Sequence, residues 1–92
     1  MTKYMVKVTA TATADNPNFA GEVAIYYFGK GEEMIKREGT HLPKDNFDRT
    51  GYMLAICGYN RKCDAKRSYH YKHQEEGRYW TTDKVEIVEA TC

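Results

Sequence analysis

Two thiols and two imidazoles, Cys57, Cys63, His70 and His73, are the residue types from which small zinc sites are built. Their spacing does not make one. Five residues separate the thiols and two the histidines, outside the usual finger windows, and on a helix Cys63 and His70 stand two turns apart. Cys57 follows the apolar run Met53-Leu54-Ala55-Ile56, which predicts a core thiol, because a reactive cysteine needs an electropositive and accessible setting. The only serine, Ser68, lacks the strained turn of a hydrolase nucleophile, and no pair of carboxylates is placed for work on a glycoside. Gly29-Lys30-Gly31 has the residue types of a phosphate loop, but it matches neither the P-loop nor the dinucleotide spacing and reads as a turn. Neither a catalytic group nor a metal or other cofactor is implied, and what remains is recognition.

The one concentrated basic stretch is 61–72, where Arg61, Lys62, Lys66, Arg67 and Lys72 face a single Asp64 in a chain of formal net charge +1. Tyr69 and Tyr71 interleave with these cations, a combination suited to phosphates and base faces. A solvated face balanced by Glu75 and Glu76 is the plainer reading of the same charges. Near-neutral net charge excludes a broad polyanion-binding surface, so any basic site is local and no extended nucleic acid is expected. The candidate ligand-binding residues are Tyr52, Asn60, Arg61, Arg67, Arg78 and Trp80. Arginines would clamp phosphates, the aromatic rings would stack, and Asn60 would read a base or ribose edge. Structural roles compete for each: Trp80 and Tyr52 suit a core, and Asn60 suits a helix cap.

These residues need elements to position them. The stretch 22–28, Glu-Val-Ala-Ile-Tyr-Tyr-Phe, is apolar or aromatic on both faces of a strand after its first residue, which predicts the middle of a sheet. Residues 5–14 alternate, with Val6, Val8, Ala10, Ala12 and Ala14 on one face and Lys7, Thr9, Thr11 and Thr13 on the other. The alanines make half of that face thin, so whatever covers it approaches closely. Asp15-Asn16-Pro17-Asn18 predicts a turn. Residues 33–40 read as an edge strand; because Met34 and Ile35 are adjacent the alternation is poor, and a short helix over 32–38 is the alternative.

Pro43 ends that segment, Asp45 or Asn46 can cap a first helix whose firm part spans 49–57, and Gly58-Tyr59-Asn60 breaks it before a second helix over 61–72. A turn at 74–77 leads to a last strand from Arg78-Tyr79-Trp80 to about Glu89, with Val85 and Ile87 on one side and Val88 on the other.

The fold expectation is a single α+β domain over 1–92. It is a mixed, mainly antiparallel four-stranded sheet, in the element order strand-strand-strand-helix-helix-strand, with two helices on one face. Two helices cover one face only, so the other is expected to lie against a second copy or a ligand, and a chain of 92 residues gains from such an interface. Three irregularly spaced cysteines suit a reducing cytoplasm better than a disulfide framework. No stretch approaches membrane-spanning length, and the N-terminus lacks the apolar run of a signal peptide.

Over residues 6–59 the chain resembles the first half of the ribonuclease H fold. The features are a first strand ending at Asn16-Pro17, Gly21 before a long second strand, a third strand, and a helix with Met53-Leu54-Ala55-Ile56. Where that family carries its metal-binding acids this chain has Ala10 and Gly51 or Tyr52, so two-metal hydrolysis is not implied. The resemblance implies a last strand parallel to the first, lateral order 3-2-1-4, and both helices on one face.

The whole chain also resembles the short anti-Thoeris sponges that phages encode against host defence. This likeness rests on the 9–14 strand, 22–29, Gly58-Tyr59-Asn60-Arg61 and Arg78-Tyr79-Trp80. It implies a non-enzymatic homo-oligomer in the host cytoplasm that sequesters a cyclic ADP-ribose isomer or, as some members do, a cyclic oligonucleotide of CBASS. Two alternatives stand beside it. One is a phage inhibitor that occludes a protein partner such as a CRISPR effector, and the other is a catalytically dead ribonuclease H-like module for single-stranded nucleic acid.

Overall fold

The structure is a computed structural model and describes residues 2–39, 47–72 and 79–91. Strand β1 (Thr2–Ala12) pairs on one side with β2 (Val23–Phe28) and on the other with β4 (Trp80–Thr91), while β3 (Met34–Gly39) pairs with β2. Every pairing is antiparallel, and the lateral order is β3-β2-β1-β4. Helix α1 (Met53–Cys57) and helix α2 (Lys62–Lys72) fall between β3 and β4 in the chain.

The alternation expected in β1 is present, with Val6, Val8, Ala10 and Ala12 buried. We call this side of the sheet the inner face and the side of Met5, Lys7, Thr9 and Thr11 the outer face. The ladder carries the inner face across to Phe28, Tyr26 and Ala24 on β2 and to Ile87 and Val85 on β4.

Within segment 33–40 the expected strand forms over Met34–Gly39, with Thr40 outside the described residues, and its irregular pattern has a physical cause. The register with β2 slips between Tyr27 and Phe28, so that Phe28 opposes Met34 while Tyr27 opposes Lys36. Ile35 is therefore the extra residue of a β-bulge. It is fully buried beside Met5 and Leu54, and Met34 and Arg37 share the inner face. The turn before β3 is tight, with Gly31 and Glu32 both at positive φ, 67° and 62°. The Asp15–Asn18 turn is held by Asn16, which is buried: its amide donates to the Tyr79 carbonyl at 3.1 Å, and its side-chain oxygen accepts from the N–H of Asn18 and of Phe19.

Three expectations need correction. The first helix does not begin at 49, because the Arg49 N–H donates to the Ile35 carbonyl at 2.8 Å and lies against the edge of β3. A turn over Thr50 and Gly51 follows, and α1 is only five residues long. The expected caps Asp45 and Asn46 lie outside the described residues, as does the turn at 74–77.

Second, the helices do not share a face. Leu54, Met53 and Cys57 pack with Met5 on the outer side, whereas Ala65 of α2 packs with Val6, Val8, Val85 and Tyr59 on the inner side. The chain passes from one face to the other at Gly58–Asn60. There Tyr59 and Tyr4 exchange backbone hydrogen bonds of 2.9 Å in both directions, in the place beside β1 that β2 vacates after Phe28. Gly58 permits the passage: a Cβ there would strike the Leu54 carbonyl oxygen and lie 2.9 Å from Lys3 Cβ.

Third, the sheet is not mixed, and β4 runs antiparallel to β1. Helix α2 starts near Tyr4 and returns along the sheet. The chain then re-enters at the far end of β1, where the Thr13 N–H donates to the Tyr79 carbonyl at 2.9 Å, so the last strand has to run back.

Candidate functional site

Helix α2 lies over β1 and β4, and Ala65 is the residue it buries there among the side chains of 62–67. The rest of the inner face is a concavity of about 460 Å³. Val8 and Ala10 form its floor, Tyr26 and Phe28 stand on β2, Met34 and Arg37 on β3, and Trp80 and Thr82 on β4. Small residues at Ala10 and Ala24 leave depth, and the aromatic rings around them supply flat walls. Tyr26 and Phe28 have centroids 6.2 Å apart and planes tilted by 32°, so the two rings make one angled surface. Arg37 brings the charge, its guanidinium carbon 5.6 Å from the Phe47 ring centre. Arg49 reaches the same Phe47 ring at 5.8 Å and the Tyr52 ring at 5.5 Å, extending the row of cations and rings around the β3 edge.

Trp80 also lines a second hollow of about 340 Å³ with Asn16, Pro17, Asn18, Phe19 and Tyr79. The indole thus stands between two concavities.

The six residues expected to bind a ligand are not gathered in one place. Trp80 alone lines the inner concavity. Tyr52 precedes α1, the helix on the outer face, and is 56% exposed; its hydroxyl oxygen accepts from Arg49 Nε at 3.0 Å. It is neither a core residue nor part of the concavity. Asn60 and Arg61 stand just before α2 and Arg67 at its middle, and all three are exposed. The Asn60 side-chain oxygen accepts from Lys3 Nζ. Arg61 and Arg67 both reach Asp64, at 3.2 Å and 3.9 Å, and the Asp64 carboxylate holds Arg61 more firmly protonated. Part of the basic charge of α2 is therefore met within the helix. Arg78 lies outside the described residues.

Sequence reasoning missed Arg37, Met34 and the pairing of Tyr26 with Phe28 as walls. The alternation of 22–28 already put the two rings on one face, but nothing local to β3 announces that a bulge turns Arg37 to the same side.

Cys57 is buried with its thiol donating to the Met53 carbonyl at 3.1 Å, and burial, then the nearby Glu33, pushes its pKa up. That is the environment of a core thiol, not of a nucleophile. Cys63 is exposed, and among the described residues no group of three or more His, Cys, Asp or Glu side chains is arranged to hold a metal ion. No described helix is long and apolar enough to cross a membrane.

The outer face contrasts with this. Beyond the cluster around Leu54 it carries Lys7, Thr9, Lys36, Glu38, Lys84 and Glu86. Lys36 pairs with Glu38 at 2.9 Å and lies 5.5 Å from the Tyr27 ring centre, and Lys84 pairs with Glu86 at 3.6 Å. Glu38 raises the pKa of Lys36 through their hydrogen bond, while burial and then Glu38 raise that of Tyr27. The charged side chains of this face thus pair largely with one another, with Val23 and Ile25 of β2 half-buried beside them.

Comparison with known proteins gave no matching family model, no matching curated protein and no matching solved structure.

Proposed function

We propose that this protein is a non-enzymatic binding protein that takes up and sequesters a small nucleotide on the inner face of its sheet. The observation that carries the reading is the concavity itself, apolar and aromatic on most of its wall with a single arginine among its lining residues. Its volume falls in the range of small-ligand sites. A base lies against Tyr26, Phe28 or the Trp80 indole, where stacking is worth roughly 1–3 kcal/mol per base, and the phosphate meets the Arg37 guanidinium. The likeness to anti-Thoeris sponges makes a cyclic ADP-ribose isomer or a cyclic oligonucleotide the first ligands to try, and retention without turnover the activity of a phage-type anti-defence protein.

The test uses Trp80, the only tryptophan in the chain, as a built-in reporter. A panel of cyclic and linear nucleotides is titrated against its fluorescence, and the bound species is released by heat and identified. A ligand that quenches Trp80 and is recovered intact supports the reading. Arg37→Ala should then weaken binding by about tenfold or more through loss of a charge-assisted hydrogen bond. If no nucleotide binds at micromolar protein, or if the ligand comes back cleaved, the reading fails.

A further inference from the structure

The two edges of the sheet are finished differently. Along β3 the chain closes its own edge: the Arg37 N–H donates to the Phe47 carbonyl at 3.1 Å, the Arg49 N–H to the Ile35 carbonyl at 2.8 Å, and Lys36 bridges to Asp48. Along β4 no described residue provides such cover. Tyr4 turns its N–H and carbonyl toward Tyr59, on the β2 side of β1, so the odd-numbered residues of β1 turn theirs toward β4. Their partners Lys84, Glu86, Val88 and Ala90 therefore point into the sheet. Val85, Ile87, Glu89 and Thr91 point their N–H and carbonyl groups outward, and no hydrogen bond to them from any described residue is found beyond the sheet edge. The stretch is regular, because the one register slip against β1 comes before it, beyond Lys84.

From this geometry we propose that a second copy of the chain docks antiparallel on the β4 edge, joining two four-stranded sheets into one. An open, regular edge is a template for another strand. A second copy fits for two reasons. With β3 closed, the described residues leave one open edge per chain, so pairing of like edges about a two-fold axis finishes the assembly at a dimer, whereas head-to-tail growth would need both edges. The edge also complements itself: pairing about Val88 sets Val85 opposite Thr91 and Ile87 opposite Glu89, giving all four outward residues partners. It places Val88 against Val88 and Glu86 against Ala90 on the outer face, with no like charges opposed. Pairing about Glu86 would oppose two glutamates. This inference is independent of the ligand.

The experiment is sedimentation equilibrium on the full chain, with Glu89→Pro and Glu89→Ala compared. Glu89 directs its N–H away from β1, and edge positions of this kind accept proline, so Glu89→Pro keeps the monomer fold while removing two symmetry-related hydrogen bonds of the dimer. The expected result is a species of twice the 10.7 kDa chain mass, retained in Glu89→Ala and weakened more than about tenfold in Glu89→Pro. Amide exchange is read alongside, and it needs no variant. The N–H groups of Val85, Ile87, Glu89 and Thr91 should be protected at dimer concentrations and lose protection on dilution, while those of Glu86 and Val88 stay protected throughout. A chain that stays monomeric at about 100 µM, a concentration at which even micromolar association is visible, overturns the proposal. So does a dimer whose outward β4 amides exchange freely, which would place the interface or a foreign strand elsewhere.

Discussion

Leu54 and Ala65 are both fully buried, one on each side of the same sheet, and the contrast between an isobutyl group and a methyl describes how the two faces are made. On the outer face a five-residue helix presents Leu54 to a small apolar end formed by Met5, Ile35, Met53 and Cys57, and the rest of the face is largely threonine, lysine and glutamate, with Val23 and Ile25 of β2 half-buried among them. On the inner face an eleven-residue helix comes close through Ala65 and covers β1 and β4, while the apolar surface continues past it to Tyr26, Phe28 and Met34. A helix seated by a small residue lies close to the sheet but shelters little to either side. The two faces thus have separate tasks: one anchors the chain, and the other keeps an apolar hollow.

The strongest way to break this comparison is Leu54→Ala. It leaves a cavity where a fully buried side chain closed the outer cluster, and truncations of this kind cost about 2–5 kcal/mol. Urea denaturation should show a lowered midpoint with an unchanged slope. A loss below about 1 kcal/mol would mean that α1 is not the anchor described here.

The reverse substitution probes the inner face. Ala65→Leu inserts volume between α2 and Val6, Val8, Val85 and Tyr59, where overpacking typically costs about 1–3 kcal/mol. The expected result is a smaller loss than in Leu54→Ala. If Ala65→Leu instead stabilises the protein, α2 rides higher on the sheet than Ala65 implies, and the contrast between the faces is weaker than drawn.

Much of this was legible in the residues. The alternation in β1 assigns its two faces, and the thin stretch announced by Ala10 becomes the floor of the hollow rather than the seat of a helix. Val23–Phe28 declares a central strand, and Trp80 marks one wall of the hollow. What stayed hidden depends on neighbours in space. A bulge is a relation between two strands, so the adjacent Met34 and Ile35 reveal only that the pattern fails, and Arg37 passes for an edge-strand charge until the register is known. Gly58-Tyr59-Asn60 shows a break, but a break does not say on which side of the sheet the next helix resumes. The hydrogen bonds of Tyr59 with Tyr4 decide that, and with it the direction of β4. Tyr52 failed as a wall residue for the same reason. The residues around it suggest a helix beginning at 49, whereas it stands just before α1 on the outer side, with Arg49 over its ring.

The smallest effect concerns acid stability, which should come from the charged surroundings of the β3 edge rather than from the packing under Ala65. The Thr50 hydroxyl, and then the Thr50 N–H at 3.0 Å, hold the Asp48 carboxyl below its ordinary pKa, with Lys36 adding to the effect. A carboxyl whose folded pKa is depressed contributes stability that is present above its unfolded pKa and is lost as the pH falls through the folded one. Asp48→Asn removes that titration and keeps the shape of the turn. The variant should therefore be slightly less stable than the parent at neutral pH, and the difference should close as the pH drops from about 5 toward 2. Asp48 is exposed, so solvent screening keeps the effect well below that of Ala65→Leu. Thermal unfolding curves for the two proteins that stay equally separated across this range would show that Asp48 acts through the shape of the turn alone. The acid-sensitive contacts would then have to be sought on the other strands of the outer face.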